Sequence, residues 1–158
     1  MREQIAVFDK AVLRQVRTNP TCRLLMSVPG VGALTSLAYV STIEDPGRFS
    51  RSRAVGAHLG LTPRQYQSGE IDHRGRISRC GDALVRTLLY EAAVTLLCRV
   101  KQHLALKDWA LAVARRSGPA KARVALARKL SVLLHAIWRT GQPFRWSPPA
   151  TVAEPSAA

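Results

Sequence analysis

The sequence predicts an all-α domain of four to six helices, and three observations carry that prediction. Apolar residues recur at three- and four-residue steps in several separate stretches, the mark of helices with one buried face. Gly, Pro and short polar clusters punctuate those stretches at the places where helices start and stop. One segment alone, around Gly60–Arg79, has no helical period; there we expect an irregular Ser-Gly loop, with room for a small hairpin between Leu61 and Ile77.

From Glu3 to Val16 the residues Ile5, Phe8, Val12 and Val16 form a narrow apolar stripe. A helix packed on its own domain would show this. So would the end of a coiled coil, which the lack of a capping signal at the start favours. We therefore take 1–18 as a coiled-coil stub able to self-associate into a homo-oligomer. Thr18-Asn19-Pro20 ends it.

The segment Leu24–Ala38 follows a helix-hairpin-helix pattern, two short helices joined by Val28-Pro29-Gly30-Val31-Gly32. Gly30 and Gly32 would expose backbone N–H groups at the start of the second helix, where a phosphate binds without any base being read. A tight turn between two core helices is the plainer alternative. Asp45-Pro46-Gly47 is a turn, and Ser50 is the expected cap of a short helix that runs through His58 and ends at Gly60.

Ser78 is the expected cap of a long helix burying Leu84, Val85, Leu88, Leu89, Ala92, Ala93, Leu96 and Leu97. A further helix spans Leu104–Val113, with Trp109 as a core anchor. Ser117-Gly118-Pro119 separates it from a last helix, Ala120–Thr140, closed by Gly141. The compact domain is thus expected over 21–141, and the Pro- and Ala-rich residues 142–158 as a poorly ordered tail.

The 158 residues include 24 Lys or Arg against 10 Asp or Glu, a net charge of +14. Such an excess concentrates polyanions around the protein, and nucleic acid is the leading partner. A membrane is not, because no apolar run reaches the ~20 residues of a spanning helix. No signal peptide opens the chain, so a cytoplasmic location is expected. Cys22, Cys80 and Cys98 are odd in number and far apart, which excludes a disulfide framework or a C-x-x-C site. The four histidines show no metal-ligand spacing.

Within the aperiodic segment, Ser68-Gly69 puts a hydroxyl beside a residue that permits a sharp turn and close approach of a ligand. Arg64, Arg74, Arg76 and Arg79 surround it in sequence, and Arg86 follows on the next helix. Guanidinium forks match phosphate oxygens. A turn serine on a solvated basic face is the ordinary reading of such a stretch; a nucleophile for a phosphodiester is the sharper one.

The ordered series Val-Pro-Gly-Val-Gly, Arg48-Phe49, Gly60-Leu61-Thr62-Pro63-Arg64, Ser68-Gly69, Gly75-Arg76-Ile77-Ser78-Arg79-Cys80-Gly81 and Leu84–Leu89 resembles the C-terminal transposase domain of the IS-one-ten family of prokaryotic insertion-sequence recombinases. The likeness runs from about Leu24 to Trp138. It implies that Ser68 is a serine nucleophile forming a transient phosphoserine link to DNA, with a bridge (guide) RNA selecting the target by base pairing.

Members of that family carry, ahead of a coiled coil, a resolvase-like domain whose acidic quartet binds metal. The resemblance therefore implies an acidic partner domain holding Mg, which is expected to be missing from this chain. Glu44, Asp45, Glu70, Asp72 and Glu91 show no two-metal arrangement. On this reading the chain is the DNA-joining part of a transposase, inactive or weakly active alone. The alternative is a non-enzymatic helix-hairpin-helix module that grips DNA or RNA backbones. A structural RNA-binding protein would explain the charge but not the Ser-Gly pair.

Overall fold

The computed structural model describes residues 2–68 and 71–146, with the side chains of residues 2, 3, 65–68 and 71–74 excluded from the description. Among them are seven α-helices and a two-stranded antiparallel sheet. The all-α expectation holds, and the aperiodic segment is a hairpin rather than an irregular loop.

The helices are α1 (Arg2–Thr18), α2 (Pro20–Leu25), α3 (Ala33–Ile43), α4 (Arg53–His58), α5 (Ala83–Arg99), α6 (Ala105–Ser117) and α7 (Pro119–Thr140), with a 3-10 turn at Pro46–Arg48. Strands β1 (Pro63–Ser68) and β2 (Ile71–Ile77) lie between α4 and α5. None of the described helices is long and apolar enough to cross a membrane.

The longest helix, α7, forms the centre of the core. Ala122, Leu126, Ala127, Leu130, Leu134 and Ile137 recur at helical spacing and are buried against α5, α6, α4 and α2. Pro119 sits at its first turn, where a missing N–H costs nothing, and Gly141 ends it in the left-handed conformation. On α5 the buried face is Val85, Leu88, Leu89, Ala92, Ala93 and Leu96. Tyr39 of α3 is fully buried beside α7 and donates its hydroxyl to the Ser131 carbonyl at 2.7 Å.

Both expected serine caps are displaced. Helix α5 begins at Ala83, and its cap is Asp82, whose carboxylate accepts from the Val85 N–H at 2.9 Å. Ser78 instead extends the hairpin, its N–H bonding the Thr62 carbonyl at 2.9 Å. Arg79 and Gly81 then take φ of +57° and +80°, which no helix can include. Upstream, Asp45 caps the 3-10 turn through the Gly47 N–H at 2.8 Å, and α4 starts after Ser52, not Ser50. Ser52 Oγ is engaged by His135 Nδ1 at 2.9 Å, so it caps nothing.

His135 is fully buried. Its Nε2 lies 2.9 Å from the Pro46 carbonyl, which can only accept, so Nε2 donates there, while Nδ1 pairs with the Ser52 hydroxyl. This single side chain ties α7 to both ends of the Pro46–Ser52 connection. Phe49 packs edge-on against the His135 and His58 rings at 5.7 and 5.2 Å.

At the termini of the described chain, Val16 of α1 is buried while Ile5, Val7 and Phe8 are exposed. Residues 142–146 run back along the core. The Phe144 N–H donates to Ser27 Oγ at 2.9 Å, and its ring packs on the core beside Trp146. Residues 147–158 lie outside the described residues.

Candidate nucleic-acid interface

The hairpin rises from a foot in which two chain segments cross almost without side chains between them. Gly60 has φ +67°, and a Cβ there would run into the Cys80 backbone; Gly81 has φ +80°, and a Cβ there would run into the His58 carbonyl. Only glycines allow both the backbone conformation and the approach. The Arg79 N–H donates to the Gly60 carbonyl at 3.1 Å, and the Leu61 N–H returns to Gly56 at 2.9 Å.

Arg86 completes the foot from α5. Its Nη1 lies 3.2 Å from the Leu59 carbonyl, 3.1 Å from that of Cys80 and 3.5 Å from that of Asp82. A guanidinium bonded to neutral carbonyls keeps its full positive charge, so Arg86 both locks the foot and makes it electropositive.

Above the foot the strands pair from Pro63↔Ile77 through Gln65↔Arg74, Tyr66↔His73 and Gln67↔Asp72 to Ser68↔Ile71. The register shifts between Pro63 and Gln65, so Arg64 faces both Gly75 and Arg76. Such a bulge bends and twists the strand that carries it. Arg64, Arg76 and Arg79 are exposed at this end, and Arg64 Nη2 reaches the Ser78 carbonyl at 3.3 Å. Arg79 holds a left-handed conformation that costs a non-glycine residue roughly 1–2 kcal/mol.

Ser68 is the last residue of β1, at the end of the ladder away from the foot. Its side chain, that of Arg74, and Gly69 and Glu70 lie outside the described residues. The structure thus brings Arg64, Arg76, Arg79 and Arg86 together around the hairpin foot and puts Ser68 on the strand that leaves it.

Gly30 and Gly32 lie elsewhere. Gly30 seats its turn on α5: with φ +88°, a Cβ there would come 2.5 Å from the Ala92 carbonyl oxygen and 3.2 Å from Leu96 N. That contact is ten residues along α5 from Asp82, roughly 15 Å from the hairpin foot at 1.5 Å per residue. Gly32 is exposed, with nothing near a Cβ, and precedes α3 without a side-chain cap. Its partner helix α2 is capped by Asn19, which accepts from the Thr21 and Cys22 N–H groups at 2.9 and 3.2 Å.

Among the described residues no group of three His, Cys, Asp or Glu side chains could hold a metal ion. The cationic foot can hold phosphate oxygens; the described side chains do not fit a divalent cation. Sequence reading missed the two glycines as a locking pair, although each sits beside a conspicuous motif. It also missed His135, whose partners are 83 and 89 residues away along the chain.

Comparison with known proteins places the chain in a family. A family model described as "Transposase IS116/IS110/IS902 family" matches residues 22–109, more than half of the chain and including the Gly30 turn, the hairpin and its foot. A transposase for insertion sequence element IS1111A of Coxiella burnetii is 35% identical over 144 residues, which are 90% of this chain and 40% of the relative.

A transposase for insertion sequence element IS1328 of Yersinia enterocolitica is 29% identical over 143 residues, 90% of this chain and 43% of the relative. A pilin gene-inverting protein of Moraxella bovis is 27% identical over 129 residues, 80% and 39% of the two chains. The chain therefore spans about two fifths of the length of these curated relatives. With the family match covering the hairpin, its cationic foot and the helices that hold them, the chain belongs to the IS116/IS110/IS902 transposase family.

Proposed function

We propose that this chain is the DNA-joining domain of an insertion-sequence transposase, with Ser68 as its nucleophile. One observation carries the reading. A hydroxyl-bearing residue ends a strand whose base is fixed by the Gly60–Gly81 crossing, where the chain carries the exposed Arg64, Arg76 and Arg79 and the Arg86 guanidinium closes the crossing.

In the proposed reaction Ser68 Oγ attacks a backbone phosphorus. The Oγ–P bond forms, the P–O bond to one strand end breaks, the serine proton passes to a base, and the freed end takes up a proton. Arginines at the foot hold neighbouring phosphates of the same strand, which runs along the hairpin to Ser68 at the far end of the ladder. Rejoining reverses these steps with a different strand end.

Within this reading a bridge RNA selects the sites by pairing, and a resolvase-like acidic domain supplies the Mg-dependent part of the chemistry in the bacterial cytoplasm. The exposed Ile5, Val7 and Phe8 of α1 pair with a second helix in a homo-oligomer. Gly32 leaves the first-turn N–H groups of α3 open to a phosphate, as a helix-hairpin-helix element would.

The test supplies the chain with a family acidic domain, Mg²⁺, guide RNA and element-end DNA, and asks for a covalent protein–DNA adduct that survives denaturation. The proposal expects an adduct with the native chain and none with Ser68→Ala. An adduct at the native rate with Ser68→Ala overturns it, and DNA binding with no adduct from either protein favours a non-enzymatic binding module.

A further inference from the structure

A second cationic surface lies away from the hairpin, where α7 passes over α4 and the Pro46–Ser52 connection. From Trp109 to Arg145 the chain has eight Lys or Arg residues and no carboxylate. Two of them turn toward the α5 and α6 side of α7: Lys129 Nζ sits 3.9 Å from the centre of the Trp109 ring, and Arg123 associates with Tyr90. Arg128 and Arg139 turn the other way.

Both of these are held in place without being neutralised. The Arg128 stem lies on Gly56 of α4, where a Cβ would come 3.2 Å from its Cγ. Arg139 Nη1 donates to the Ser50 carbonyl at 3.1 Å. Arg51 and Arg53 stand at α4's start, next to the Ser50 carbonyl that Arg139 holds, both exposed, and their side chains make no hydrogen bond or ion pair among the described residues. The nearest carboxylates along the chain are already committed: Glu44 pairs with Arg48 at 3.3 Å, and Asp45 caps the 3-10 turn.

We propose that this α4–α7 face, through Arg51, Arg53, Arg128 and Arg139, is a second DNA surface that grips the phosphate backbone of duplex beside the strand held at the hairpin. Arg128 and Arg139 are eleven residues apart on α7, roughly 16 Å of axis. That is about half a turn of B-form duplex, long enough to follow a backbone. Apart from the exposed His58 imidazole at the opposite end of α4 from Arg53, this face presents no exposed aromatic ring among the described residues; Phe49 is half-buried between the His58 and His135 rings. A single strand would want stacking platforms, whereas duplex phosphates want cations at intervals, so the occupant is duplex.

Helix α4 joins the two surfaces. Its first residues carry Arg53, and its last residue, His58, touches Gly81 of the hairpin foot. The choice of DNA over duplex RNA rests on the proposed function above.

The test measures non-covalent affinity of the full chain for a generic DNA duplex, without element ends, as a function of salt. Arg→Gln at positions 51, 53, 128 and 139 together should weaken binding at least tenfold near 0.1 M salt. It should also reduce the steepness of log K against log salt by about 3.6, since each duplex phosphate contact contributes about 0.9. A control with Lys10, Arg14, Arg17 and Lys101 changed to Gln loses the same charge elsewhere.

The inference is overturned if the control weakens binding as much, if the four-residue variant binds like the native chain, or if the loss appears on duplex RNA or single strands and not on duplex DNA. Should the four-residue variant unfold, Arg51→Gln with Arg53→Gln keeps both tethered arginines and should still reduce the slope by about 2; no change overturns the inference. The readout involves no covalent step, so its failure leaves the Ser68 adduct test standing, and the reverse holds.

Discussion

Gly60 and Gly81 close one backbone crossing from opposite sides, each placed where a side chain would strike the segment that bears the other. The crossing fixes where β1 leaves the helical core, and so where Ser68 and the arginines of the foot are presented.

Replacing either glycine by alanine should therefore cost more than left-handed strain alone. Strain contributes about 1–3 kcal/mol and the clash with backbone a similar amount. Urea unfolding of Gly60→Ala or Gly81→Ala should show a loss of about 2–5 kcal/mol. Gly75→Ala, whose new Cβ would meet the Arg64 carbonyl at an ordinary 3.6 Å, should stay within about 0.5 kcal/mol.

Arg79 predicts effects of opposite sign. Its φ of +57° is strained for arginine and easy for glycine, so Arg79→Gly should leave stability unchanged or raise it by up to ~1 kcal/mol. The same change should weaken DNA binding and make it less salt-dependent. Parallel unfolding and binding curves check this; a variant that loses stability and keeps its affinity would contradict it.

Arg86→Gln should lower stability by about 1–3 kcal/mol, because the Leu59 and Cys80 carbonyls lose a charged donor. Hydrogen exchange should quicken first at the Leu61, Ser78 and Arg79 amides, which belong to the same foot. Uniform quickening across α7 instead would place the lost interaction elsewhere.

Burial pushes the Tyr39 hydroxyl well above its ordinary pKa. Below about pH 10 it is neutral in both the folded and the unfolded chain. Above that, the unfolded chain releases the proton while the folded one retains it, so stability falls as pH rises. Tyr39→Phe should lose about 0.5–1.5 kcal/mol at neutral pH, with the Ser131 hydrogen bond, and show a shallower alkaline decline. Unfolding curves between pH 8 and 11 measure both.

Much of the fold was legible because local signals agreed with the tertiary result. The Gly118-Pro119 start, the Gly141 stop and the apolar stripe between them delimit α7 in sequence and in structure alike. The misplaced caps show where locality ends. Ser78 and Ser50 are sound capping residues, yet the Ser78 N–H is claimed by Thr62 across the hairpin and the Ser50 carbonyl by an arginine 89 residues away. Neither competitor has a sequence-local signature.

The site was legible in part for the same reason. Arginines and a Ser-Gly pair can be read from sequence, but the clustering of Arg64, Arg76, Arg79 and Arg86 depends on a bulge and a glycine crossing that only the folded chain brings together. Gly30 shows the converse: a glycine that sequence assigns to phosphate binding is held against α5.

The central claim is chemical, and peptide mapping of the DNA adduct tests it most directly. Trypsin cutting after Arg64 and Arg74 releases residues 65–74, in which Ser68 is the one serine and Tyr66 the one tyrosine. Fragmentation should place the residual nucleotide on Ser68. A nucleotide on Tyr66, or on any peptide outside 65–74, would contradict the account.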